Sequence, residues 1–175
     1  MSLDAVLARI DADLEPSIAR LFDLVRIPSI STDPAYAGDC RKAGQWVVDE
    51  LAALGFKASL RETKGLPMVV AHFDPPGLAA GAPRFLFYGH YDVQPADPIE
   101  KWTSGPFEPV RKTGADGIER LYGRGTGDDK GQFMTFLEAM RAWIKETGSL
   151  PVRADRGRGG IRVAEPRSVP RRQHG

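Results

Sequence analysis

The chain has 175 residues, 42% of them hydrophobic and 27% charged, with 24 basic side chains against 23 acidic ones. That is enough for one modest domain, with an apolar content that argues against wholesale disorder. No apolar run approaches the roughly 20 residues of a membrane span, and Asp4, Asp11, Asp13 and Glu15 interrupt the N-terminal apolar stretch, which argues against a signal peptide. Cys40 is the one cysteine, so no internal disulfide is expected, in keeping with a reducing cytoplasm.

The near-neutral total conceals an asymmetry. Residues 153–175 carry seven Arg and no Lys against Asp155 and Glu165, a net +5, whereas the preceding 152 residues carry 17 basic and 21 acidic groups, a net −4. The chain therefore divides into an acidic body over 1–152 and an Arg-rich tail over 153–175 that is expected to be disordered.

In chain order, Leu3, Val6, Leu7, Ile10, Leu14, Ile18, Leu21, Phe22 and Val25 fall at three- and four-residue steps, the apolar stripe of a helix that Pro16 interrupts. Arg26 to Ser31 reads as an extended exit. A second helix is predicted over 38–54, ending at Gly55. Three strand-like runs follow, Phe56–Arg61, Met68–Phe73 and Arg84–Val93, separated by Pro/Gly loops. Pro95 to Asp116 reads as irregular, with Trp102 and Phe107 as apolar anchors. A short strand at Leu121-Tyr122 then leads into a glycine turn and a helix over about 128–146, with Phe133, Phe136, Leu137, Met140 and Ile144 on one face. Two helices followed by clustered strands predict an α/β fold, a mixed sheet flanked by helices.

Two features could carry chemistry. His90 stands where the apolar run ends, with Asp92 two residues on, and positions i and i+2 of an extended chain point the same way. Asp92 could hold one imidazole nitrogen and leave the other for a metal; the same spacing also describes a hydrogen-bonded surface pair. The second feature is Gly123-Arg124-Gly125-Thr126-Gly127-Asp128-Asp129-Lys130-Gly131. Aspartate at a helix start is a normal cap, and a phosphate cradle is conceivable, but two carboxylates would repel a pyrophosphate. A cation suits them better.

Taken together, Gly89-His90-Tyr91-Asp92-Val93-Gln94-Pro95, Trp102, Gly105-Pro106-Phe107, and Leu121-Tyr122-Gly123-Arg124-Gly125 through Asp128-Asp129-Lys130-Gly131 resemble the two-zinc peptidase and amidohydrolase family. That family holds carnosinase-type dipeptidases, glutamate carboxypeptidase, acetylornithine deacetylase and succinyl-diaminopimelate desuccinylase. The resemblance covers residues 3–152, the N-terminal portion of the family's catalytic domain, and the wording is nearest the dipeptidases. It implies His90 as ligand of one zinc, Asp92 as the carboxylate that orients it, and Asp128 as the carboxylate bridging two zinc ions. It also implies a peptide or N-acylated amino acid as substrate, no membrane partner, and a homodimer for the full-length enzyme. Asp129 and Lys130 are expected to serve the helix start, and Trp102 and Phe107 to pack the long loop.

The family's general base and a further ligand come from a Glu-Glu pair expected soon after Leu150-Pro151-Val152, and the chain continues instead with Arg153 to Gly175. With CGN codons for arginine, Arg156 to Pro166 read from the second base of each codon permits E-G-E-E-E-S-G-S-P-N-L, the wording of the missing acidic segment. A single-base insertion near residue 153 is therefore expected, leaving the tail out of frame and the catalytic domain truncated. Catalytic zinc keeps three protein ligands plus water, so weak or absent zinc binding and no peptidase activity are expected of this chain alone. The competing reading is a non-catalytic module whose Arg-rich tail binds nucleic acid or acidic partners. The tail lacks the interleaved aromatics and repeats that would favour it.

Overall fold

The computed structural model describes residues 3–75, 77, 81, 84–154 and 161–163. The N-terminal apolar stripe forms two helices, α1 (Leu3–Ala12) and α2 (Leu14–Val25). Pro16 lies in the first turn of α2, where its missing N–H would have no helical partner in any case. α3 (Ala37–Ala53) buries Cys40, Ala43, Gly44, Val47, Val48 and Leu51 against the sheet. α4 (Lys130–Thr147) buries Phe133, Met134, Leu137 and Met140 and is closed by Gly148 in the left-handed region (φ +77°).

The strands are β1 (Lys57–Arg61), β2 (Met68–His72), β3 (Arg84–Phe85), β4 (Tyr88–Gly89), β5 (Val110–Thr113), β6 (Glu119–Tyr122), β7 (Arg153–Ala154) and β8 (Ile161–Val163). The main sheet has the order β1-β2-β8-β4. β1 and β2 are antiparallel, with Lys57 opposite His72 and Arg61 opposite Met68; β8 runs antiparallel to β2 and parallel to β4. β3 pairs with β7, and β5 with β6 in a separate hairpin. This is the mixed α/β arrangement that two helices followed by clustered strands predict.

One core joins α2, α3, α4 and the sheet, centred on Leu24, Val25, Val47, Leu51, Val69, Tyr91, Phe133 and Leu137. Burying each large side chain of this kind contributes about 1.5–3 kcal/mol. A polar network ties the helices together above it. Glu138 accepts from Arg20 Nη2 at 2.5 Å and from Ser17 Oγ at 3.0 Å, while Arg141 binds both Glu138 and Glu50.

Three sequence expectations are corrected or bounded. The run Arg84–Val93 is not one strand but two pairs, β3 and β4, because backbone pairing reaches only those residues; Phe85, Leu86 and Tyr88 remain more than half exposed. Part of the stretch expected to be irregular, Val110–Thr113, pairs with β6. Of the tail, residues 153–154 and 161–163 are strand, and the rest of the expected disorder lies outside the described residues. Among the described residues no helix is long and apolar enough to cross a membrane.

Candidate metal centre

The site begins where Tyr91 to Val93 runs beside the exit of α2. Val93 N donates to Ser29 O at 2.9 Å, Ser31 N to Val93 O at 3.2 Å, and Ser29 Oγ to Tyr91 O at 2.7 Å. Tyr91 is fully buried and its hydroxyl donates to the Pro67 carbonyl. His90 and Asp92 therefore flank an anchored residue on a fixed stretch of backbone.

The ring of His90 is held from both sides. Its Nδ1 lies 3.1 Å from Asp92 O and 3.2 Å from Asp92 Oδ1, and its Nε2 lies 3.0 Å from Asp128 Oδ1. Asp92 is buried, with 7% of its side chain exposed, whereas the Asp128 side chain is 85% exposed and opens to solvent. Hydrogen bonding to Asp92, then charge, hold the imidazole pKa up at about 9 against the cost of burial. A cation bound at Nε2 would have to displace that proton.

The glycine turn brings Asp128 to this place. Gly125 has φ +96°, and a Cβ there would meet Val93 Cγ1 at 2.9 Å. At Gly131 a Cβ would stand only 2.0 Å from Thr126 O, so the first turn of α4 can pack on the loop only without a side chain. Gly131 N donates to Gly125 O at 3.1 Å and Thr126 Oγ1 to Gly123 O at 2.9 Å, closing the turn. Lys130 is fully buried beneath it, its Nζ donating to Leu24 O and Ile27 O, and burial pushes its pKa down to about 7.

A cleft of about 590 Å³ opens above the pair, lined by Tyr88, His90, Asp92, Gln94, Trp102, Arg124 and Asp128 among others. Arg124 lies over the Trp102 ring at 5.6 Å and donates to the Pro95 carbonyl, and Trp102 Nε1 donates to Ala96 O at 2.8 Å. Trp102 thus packs the long loop, as its position in the sequence leads one to expect, and also walls the cleft.

The donors suit a divalent cation in kind: an imidazole nitrogen and an exposed carboxylate oxygen facing one point, with Asp92 behind the ring. They are fewer than the three protein ligands of a catalytic zinc. No cluster of three or more His, Cys, Asp or Glu able to hold a metal occurs among the described residues. Two contacts had no signature in the sequence. Asp129 does not cap α4 through its side chain but accepts a hydrogen bond from His90 N at 2.8 Å, and Lys130 reaches back to the end of α2. The first depends on α4 lying against a strand end some forty residues earlier, the second on its packing against the end of α2 more than a hundred residues earlier.

Imidazole and carboxylate are ligand types of catalytic zinc sites, and here one of each meets at the end of the sheet. Comparison with known proteins gives the family. Residues 86–154 match the sequence model of Peptidase family M20/M25/M40. The chain is 36% identical over 153 residues to the Cys-Gly metallodipeptidase DUG1 of Candida albicans, covering 80% of this chain and 30% of that protein. It is 46% identical over 65 residues to the succinyl-diaminopimelate desuccinylase of Nitrosospira multiformis, covering 37% of this chain and 16% of that enzyme. Among solved structures it resembles human carnosine dipeptidase 1 with a TM-score of 0.75 at 26% identity, covering 92% of this chain and 33% of that one. The dipeptidase Dug1p of Saccharomyces cerevisiae gives 0.73 at 28% identity, covering 87% and 33%. Residues 86–154 thus carry a peptidase M20 domain, and the matched region is the N-terminal portion of these relatives. It spans about a third of the length of these relatives in the longer matches.

Proposed function

We propose that residues 1–152 form part of the catalytic domain of a zinc-dependent peptidase whose substrates are dipeptides or N-acylated amino acids. In this reading His90 and Asp128 would hold zinc, and Asp92 would orient His90. The observation that carries it is the 3.0 Å approach of His90 Nε2 to Asp128 Oδ1 while Asp92 occupies Nδ1. Zinc bound there would supply Lewis acidity toward an amide carbonyl and a water. The protein's own part is to fix the imidazole tautomer through Asp92 and to present an exposed carboxylate to the cleft. The names of the relatives, Cys-Gly metallodipeptidase and carnosine dipeptidase, support the dipeptide class. The lone Cys40 suits a cytoplasmic location.

The 175-residue chain alone is inactive in this account, because two ligands hold zinc weakly and the described residues offer no further cluster. Residues 153–175 are the out-of-frame tail. The test pairs two proteins. The chain as it stands should show no EDTA-sensitive hydrolysis of a dipeptide panel. A gene with the downstream frame restored should encode EDTA-sensitive hydrolysis that His90→Gln abolishes. Hydrolysis by the 175-residue chain, or a restored enzyme indifferent to His90→Gln, would contradict the proposal.

A further inference from the structure

Asp129 opens α4, a position where aspartate ordinarily bonds to the helix's own N–H groups. Its side chain makes no such bond. Its Oδ2 instead accepts from the main-chain N of His90 at 2.8 Å. Gly89 makes the approach possible, since a Cβ there would stand 3.0 Å from Asp129 Oδ2 and 3.3 Å from the Phe87 ring. Asp128, one residue earlier, faces the ring of the same histidine at 3.0 Å. Consecutive carboxylates therefore grip one residue, the first by its ring and the second by its backbone.

We propose that Asp129 is a positioning residue: its bond to His90 N fixes the end of the strand against the start of α4 and so sets the separation of the His90 ring and the Asp128 carboxylate. This rests on the reading of those two side chains as metal ligands. A ring contact alone leaves the backbone free to shift along the helix start; a second tie at the same residue removes that freedom, and ligand precision depends on such supporting bonds. The neighbouring Lys130 reinforces the frame from beneath by holding the carbonyls of Leu24 and Ile27.

The experiment uses the full 175-residue chain and NMR, with Co²⁺ as the probe. The chain has three histidines, so His72 and His174 report any non-specific effect beside His90. Asp129→Ala should speed exchange of the His90 amide proton and weaken the Co²⁺ response of the His90 ring by about tenfold or more. Asp129→Asn keeps an oxygen acceptor in place of a charged one and should stay within about threefold of the parent. Gly89→Ala, which crowds Asp129 without removing it, should move both readouts in the direction of Asp129→Ala. Parent-like amide exchange and Co²⁺ response in Asp129→Ala would overturn the proposal, as would an Asn variant as impaired as the Ala variant. A parent His90 ring indifferent to Co²⁺ would instead sink the ligand reading, and the positioning role with it, even with the amide tie intact.

Discussion

Lys130 Nζ lies 2.7 Å from the carbonyl oxygen of Ile27 and 3.0 Å from that of Leu24, so a buried ammonium from the start of α4 closes the end of α2. The two carbonyls lead directly into the segment that flanks Val93. Lys130→Met keeps the aliphatic stem and leaves both carbonyls without this donor. Chemical denaturation should show a loss of about 1–3 kcal/mol, the cost of unsatisfied buried acceptors. An unchanged midpoint would mean that relief of the buried charge offsets the lost bonds.

The glycine turn makes a paired prediction. At Gly131 a Cβ would overlap Thr126 O, whereas at Gly127 it would meet nothing within 4 Å. Gly131→Ala should therefore destabilise by about 1–3 kcal/mol or more, and Gly127→Ala should leave the thermal midpoint nearly unchanged. Equal effects at the two positions would show that the turn is not packed as described.

His90 gives a pH dependence in metal-free protein. Its folded pKa is raised from 6.5 to about 9, chiefly by the Asp92 hydrogen bond. The folded state therefore binds the extra proton more tightly than the unfolded one. The resulting stabilisation is complete below pH 6.5 and is lost as pH rises through about 9. With EDTA present, the stability difference between the parent and His90→Gln should shrink over that interval. A difference that grows with pH would reverse the sign and contradict the assignment.

Glu138 behaves oppositely. Hydrogen bonds and charge from Arg20 and Arg141 hold its carboxyl below the usual value of 4.5 although burial opposes them. Its contribution is present above pH 4.5 and is lost as pH falls through the lower folded value. Glu138→Gln should cost about 2 kcal/mol at neutral pH, since it leaves the largely buried guanidinium groups of Arg20 and Arg141 short of a charged partner, and that cost should diminish in acid. Urea titrations at pH 7 and pH 3 check both parts.

How much of this was legible in the sequence depended on whether the cause was local. The apolar steps of Leu21 and Val25, or of Phe133, Leu137 and Met140, reflect helix geometry and predict buried positions, whereas Leu24 is buried outside the expected stripe and Leu3, Leu7 and Leu14 within it lie largely exposed. His90 and Asp92 were legible as a pair because i and i+2 share a side of an extended chain. Phe85-Leu86-Phe87-Tyr88 misled, since an apolar run signals burial while a strand exists only where a neighbour supplies hydrogen bonds. β5 escaped notice because Arg111, Lys112 and Thr113 are exposed and show no apolar alternation. Asp129 and Lys130 were legible as a helix start and no more. Their bonds to His90, Leu24 and Ile27 arise from packing between distant segments, which no spacing along the chain encodes.

The central claim is that His90 and Asp128 can share one divalent cation. Zinc K-edge X-ray absorption on the zinc-loaded 175-residue chain tests it directly. The account predicts scattering from one imidazole with oxygen ligands completing the shell, the imidazole signal vanishing in His90→Gln and zinc retention falling in Asp128→Asn. An imidazole signal that persists in His90→Gln, or zinc held equally well without the Asp128 carboxylate, would contradict it.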